Sequence, residues 1–207
     1  MERNVYLILT DTGTLFTRMI KLYTKKPYNH ASLSFDPHFL EIYSFGRKRP
    51  RNPFIGGFIK ESRQTGLLKE AKCMIYSCPI SENQYQKMRY FIRQIEERKD
   101  SLRYNLVGLF AIPLHKKIIR ENAFFCSQFV ATVLEAGQVV EFKKHPSQVT
   151  PHDLQQFPHF ELLYQGEFND YPSTTIDRNS TGAYRRTAWS GTVREKLWNV
   201  CSFFIGA

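Results

Sequence analysis

Two short apolar runs, 29–35 and 39–45, flank Asp36-Pro37, and this hairpin constrains the fold more than any other segment. Strands joined by a tight turn must run antiparallel, because a parallel pair needs a crossover of a dozen residues or more. A symmetric turn over 36–39 sets His30 opposite Phe45 and Ser34 opposite Glu41. Val5 to Thr10 reads as a buried strand, and 72–78 as another that Pro79 is expected to end. Helical spacing of Leu15, Phe16, Met19, Ile20 and Tyr23 predicts a helix over 14–25 behind the caps Asp11 and Thr12. Ser81 and Gln84 form a capping box for a helix with Tyr85, Met88, Phe91, Ile92 and Ile95 on one face. The run 105–112 reads as helical, and 125–136 is an apolar helix stopped by Gly137. Thr150-Pro151 opens a short helix ending near Pro158. The stretch 46–63, with Pro50, Pro53 and Gly56-Gly57, reads as loop. These elements predict an α+β fold, an antiparallel sheet packed against helices.

Of 207 residues, 42% are hydrophobic, enough for a packed core over 1–165. From Gly166 the chain turns polar and loses periodicity, so 166–207 is expected to be a C-terminal extension. That tail holds five basic and four acidic groups, so all but one of the net +10 falls on the body. Such a charge favours an anionic partner: an acidic substrate, a membrane surface or nucleic acid. The aromatics follow core periodicity rather than interleaving with basic clusters, which argues against a specific nucleic-acid surface and a non-catalytic basic binding domain. No stretch has the length of a signal sequence or membrane span, and a cytoplasmic protein is expected. Cys73 and Cys78, five apart on a strand, point to opposite faces; with Cys201 they read as buried reduced thiols. His38, His152 and His159 have no metal-binding spacing, so neither metal nor cofactor is expected.

Cys126 is the informative residue. With Asn122 as the expected cap, it falls in the first turns of the 125–136 helix, where free amides and the helix dipole favour a thiolate. An inert core cysteine is the competing reading. His30 shares a strand face with Ser32 and Ser34, which core packing explains poorly, though a solvated face would explain it. The symmetric turn puts Glu41 on that same face but several residues away, so direct contact requires strong twist. Arg47, Lys48, Arg49 and Arg51, followed by Lys60 and Arg63, make a basic stretch suited to an anionic substrate group or to plain solvation.

Three segments resemble the permuted, NlpC-type papain-like cysteine hydrolases: 28–34 (YNHASLS), 41–47 (EIYSFGR) with 52–58 (NPFIGGF), and 124–130 (FFCSQFV). Residues 150–154 (TPHDL) resemble the segment that follows the nucleophile helix. The resemblance spans roughly 3–160 and implies a circularly permuted papain-like fold, with Cys126 as nucleophile, His30 as base and Glu41 as orienting residue. Tyr104 resembles the tyrosine that lines the oxyanion site. The implied chemistry is thioester formation followed by hydrolysis of an amide, such as a cell-wall-derived peptide. Lipid-handling acyltransferases share the arrangement, so transfer is the alternative.

Overall fold

The computed structural model describes residues 3–11, 26–49, 52–63, 68, 70–105, 120 and 122–172. The expected helix over 14–25, residues 106–112, Arg51, Cys201 and the chain beyond 172 lie outside them. Residues Met1–Ser173 form one compact unit and Thr174–Ala207 a second.

The first unit is α+β, built on a six-stranded antiparallel sheet. Its strands are β1 (Arg3–Asp11), β2 (His30–Ser34), β3 (Ile42–Arg49), β4 (Asn52–Glu61), β5 (Lys72–Ile80) and β8 (Glu161–Glu167), in the order β4-β3-β2-β1-β5-β8. Two short strands, β6 (Arg103–Tyr104) and β7 (Ala123–Phe124), form a separate parallel pair. The helices are α1 (Glu82–Glu97), α2 (Cys126–Ala136) and α3 (Pro151–Leu154).

Both faces of the sheet are buried, which is why β1 is apolar without alternation. Val5, Leu7, Leu9, Leu33, Tyr43 and Phe45 join Met88, Ile92, Phe129 and Val133 of α1 and α2 in one core. Tyr6, Ile8, Ile42, Cys73 and Ile75 pack under Phe39, Leu68, Phe168 and Tyr171 on the other face. Cys73 and Cys78 accordingly point to opposite cores, buried and unbonded to each other. Phe168 and Tyr171 are buried, so the body runs past residue 165. The polar look of that stretch hid β8, an edge strand whose residues are largely exposed.

The stretch expected to be a loop, 46–63, is instead the β3–β4 hairpin. Pro53 is compatible with β4 because it is the edge strand, where alternate N–H positions face no neighbouring strand. Gly56 and Gly57 mark a close approach rather than a turn. A Cβ on Gly56 would stand 2.7 Å from both Gly46 O and Tyr104 Cβ, and one on Gly57 3.1 Å from Leu102 O. Pro79 likewise does not end β5: it pairs with Asn4 of β1, while pairing with β8 stops at Ser77.

The capping boxes at Ser81/Gln84 and Thr150/Asp153 form, although α3 stops at Leu154, short of Pro158. Gly137 ends α2 in a right-handed conformation, and the left-handed residue is Gln138, at φ 54°. Glycine is needed at 137 for space, since a Cβ would meet Met88 Cγ at 2.4 Å.

Candidate functional site

Cys126 is the first residue of α2. The cap is Phe125, with no side-chain bond; Asn122, expected there, instead accepts from Arg98 Nη2 at 3.0 Å. The first turn of α2 is anchored from outside by Ser127 Oγ, which donates to Val149 O at 2.7 Å. Cys126 is 3% exposed, and its Sγ lies 3.9 Å from Asn29 O. Backbone N–H groups of Ala31, Ser127 and Cys126 itself point at the sulfur. The nucleophile candidate thus backs onto the two residues that flank His30.

Burial pushes the Cys126 thiol up, and these amides only partly offset it. The expectation of an acidic thiol fails on magnitude. A helix terminus is worth about 0.3–1 kcal/mol, rising to about 2 when partly buried, whereas full burial moves a group by as much as about 3–5 pKa units. The direction favours a thiol over a thiolate, so any reaction through this sulfur would need a base. Burial also raises Cys78 and pushes Cys73 up to about 12. Acidity does not single out Cys126; the three converging amides do.

His30 opens β2 opposite Thr10. Its face is not solvated, since Thr10, Ser32 and Ser34 are all fully buried. Leu33 lies opposite Tyr43, one residue off the register of a symmetric turn, because the connection runs 35–41. A slip of one residue exchanges the faces. Continued along the ladder, the register sets His30 opposite Gly46, and a Cβ on Gly46 would stand 3.5 Å from His30 Cε1.

That slip separates Glu41 from His30. By alternation Glu41 shares the face of Tyr43, and it lies five residues along β3 from Gly46, roughly 17 Å at strand rise. Its carboxylate meets Lys60 Nζ at 2.8 Å and Arg89 Nη1 at 3.4 Å, and accepts from Tyr43 Oη. Lys60 first, then Tyr43, hold its pKa down at about 2. Glu41 braces β3 against β4 and α1; the structure does not bring it to the histidine.

Tyr104 lies on β6, paired with Phe124 two residues before Cys126, and packs on Gly56 as described above. Gly46 thus faces His30, and Gly56 packs between Gly46 O and Tyr104. By alternation His30 shares the face of Ser32 and Ile8, while α2 packs on the face of Ala31 and Leu33, so Cys126 meets the backbone of 29–31 rather than the face that carries the His30 side chain. The basic stretch does not act as a unit. Lys60 is taken by Glu41, and Arg63 donates to Asn169 O at 2.6 Å and to Tyr171 O. Lys48 is exposed at the hairpin, with Arg47 and Arg49 on the same strand.

Sequence reasoning missed Thr10, Asn29 and Gln128 in this locus, all at most 6% exposed. Thr10 Oγ1, Ser32 Oγ and Gln128 Oε1 are buried and find no hydrogen-bond partner among the described residues. The available signal was a polar residue inside an apolar run, at Thr10 and at Gln128. No group of three or more His, Cys, Asp or Glu arranged to hold a metal occurs among the described residues, and none of their helices is long and apolar enough to cross a membrane.

Comparison with models of known families, with curated proteins and with solved structures gives no match.

Proposed function

We propose that the chain is a cysteine-dependent acyl-transfer enzyme, a hydrolase of amides or esters, on a circularly permuted papain-like fold. The observation that carries this reading is the setting of Cys126: a thiol at the head of α2, its charged form favoured by the backbone N–H groups of Ala31, Ser127 and Cys126 and its sulfur seated against the backbone beside His30. His30 takes the thiol proton as substrate binds, sulfur attacks the acyl carbon, and the C–N or C–O bond breaks to leave a thioester, the departing amine or alcohol taking the proton from His30. The amides at the start of α2 stabilise the oxyanion, and Tyr104 lines the same side. Water then attacks the thioester, releasing acid and returning the proton through His30; an amine or alcohol in its place gives transfer. The raised thiol pKa supports a base-dependent mechanism over a preformed thiolate.

The test is turnover of p-nitrophenyl esters by wild type, Cys126→Ala and His30→Ala. Release of p-nitrophenol that depends on both residues is expected; equal release by Cys126→Ala would sink the reading.

A further inference from the structure

A cleft of about 350 Å³ lies beside β7, the strand that precedes Cys126, lined by Arg103, Arg120, Asn122 and Ala123. The backbone fixes its walls. Arg103 N donates to Asn122 O at 2.8 Å, Ala123 N donates to Arg120 O at 3.2 Å, and Arg103 pairs with Ala123 across β6 and β7. Both lining arginines are exposed, and neither forms an ion pair among the described residues. Asn122 is oriented by Arg98: its Oδ1 accepts from Arg98 Nη2 at 3.0 Å, which turns the amide Nδ2, a donor, away from that contact. No carboxylate lines the cleft among the described residues. Among the described residues its polar side chains are two guanidiniums, whose planar forks match carboxylate and phosphate oxygens, and the Asn122 amide, whose acceptor oxygen is already taken by Arg98.

We propose that Arg103, Arg120 and Asn122 form an anion subsite that takes a carboxylate or phosphate on the acyl substrate. The proposal rests on the acyl-transfer reading for its place in the reaction. Ala123 is three residues before Cys126, about 10 Å along the extended chain, so the cleft and the thiol are neighbours on one stretch of backbone. A substrate carrying its charge at that remove from the reacting carbonyl fits both sites at once. Binding energy from so remote a charge is shared by ground and transition states, so it appears in KM.

Two measurements separate failure of the subsite from failure of the acyl-transfer reading. Inorganic phosphate is titrated calorimetrically, at fixed ionic strength, into wild type, Arg103→Gln/Arg120→Gln and a charge-matched control, Lys72→Gln/Arg93→Gln. A loss of affinity of tenfold or more in the first variant alone is expected. Equal binding by both variants, or none by wild type, overturns the subsite whether or not the thiol is active. Kinetics then compare p-nitrophenyl hydrogen suberate, with a terminal carboxylate, against neutral p-nitrophenyl octanoate. The suberate KM should rise about tenfold or more in Arg103→Gln/Arg120→Gln, with the octanoate KM and both kcat values unchanged. Turnover of both esters with no preference for suberate overturns the subsite as part of the substrate site. Failure of both esters to turn over counts against the acyl-transfer reading alone, and the phosphate titration then decides the cleft.

Discussion

The two ends of the β2–β3 hairpin contain similar residue types and treat them differently. At the turn end, Ser34 Oγ donates to Asp36 O and Glu41 O and accepts from Asp36 N, while Asp36 carboxylate oxygens accept from His38 N and Leu40 N. Glu41 is held by Lys60, Arg89 and Tyr43. At the open end, on the face of His30, the hydroxyls of Thr10 and Ser32 are buried without protein partners among the described residues, as is the side-chain carbonyl of Gln128 in the first turn of α2. Buried polar groups are ordinarily hydrogen-bonded, and exceptions gather where strain or chemistry is kept. A saturated network is read as structure, and an unsaturated one as a place for ligand.

The largest expected effect tests that division directly. His30→Ala should lower ester turnover by roughly a hundred- to ten-thousand-fold, the usual worth of a general base, with little change in melting temperature. A folded His30→Ala protein with most of its activity would erase the distinction between the two ends. Next comes Gly56→Ala. Its Cβ would press at 2.7 Å on Gly46 O and Tyr104 Cβ, so β6 must shift. A displacement of about 1 Å near the site can lower kcat by about a hundredfold; unchanged kinetics would remove Tyr104 from the account.

Two stability measurements complete the comparison. Ser34→Ala leaves the Asp36 N–H without its acceptor and should lose about 1–3 kcal/mol in urea unfolding. Thr10→Val deletes a hydroxyl with no such partner, so it should be neutral or stabilising. Equal losses would put both ends in one class. Glu41→Gln, the smallest effect, should lose at most about 1 kcal/mol, because Glu41 and Lys60 are both over two-fifths exposed and screened by salt. Since Glu41 is held at about 2, below the unfolded carboxylate value, its contribution is present above that unfolded value. It fades as pH falls from about 4.5 towards 2, so wild type and variant should converge in acid melts. kcat should not move, in contrast to what an orienting carboxylate would give.

The sheet was legible because its signals were local: the hairpin at Asp36-Pro37, the unbroken Val5–Leu9 run and the capping boxes at Ser81 and Thr150. The β3–β4 hairpin was not, because Pro53 and Gly56-Gly57 imitate a loop when their meaning is set by an edge position and by Tyr104 from elsewhere in the chain. Glu41 shows the limit of register arithmetic. A register slip of one residue moved it to the other face, and turn length is poorly fixed by residue type when Phe39, at φ 56°, takes the left-handed conformation while fully buried. The place of Cys126 in the first turn of an apolar helix was legible. Its raised pKa was not, because desolvation depends on Asn29 and Ala31 arriving from a distant strand.

The most direct test of the central claim is mass mapping of the acyl adduct formed when the folded protein meets p-nitrophenyl acetate at neutral pH. Simple alkylation would serve less well, since burial raises Cys73, Cys78 and Cys126 alike. A single acetyl group on Cys126, absent from the same peptide of His30→Ala, is the result expected. Acetylation of Cys73 or Cys78 instead, or of Cys126 to equal extent without His30, would contradict the account.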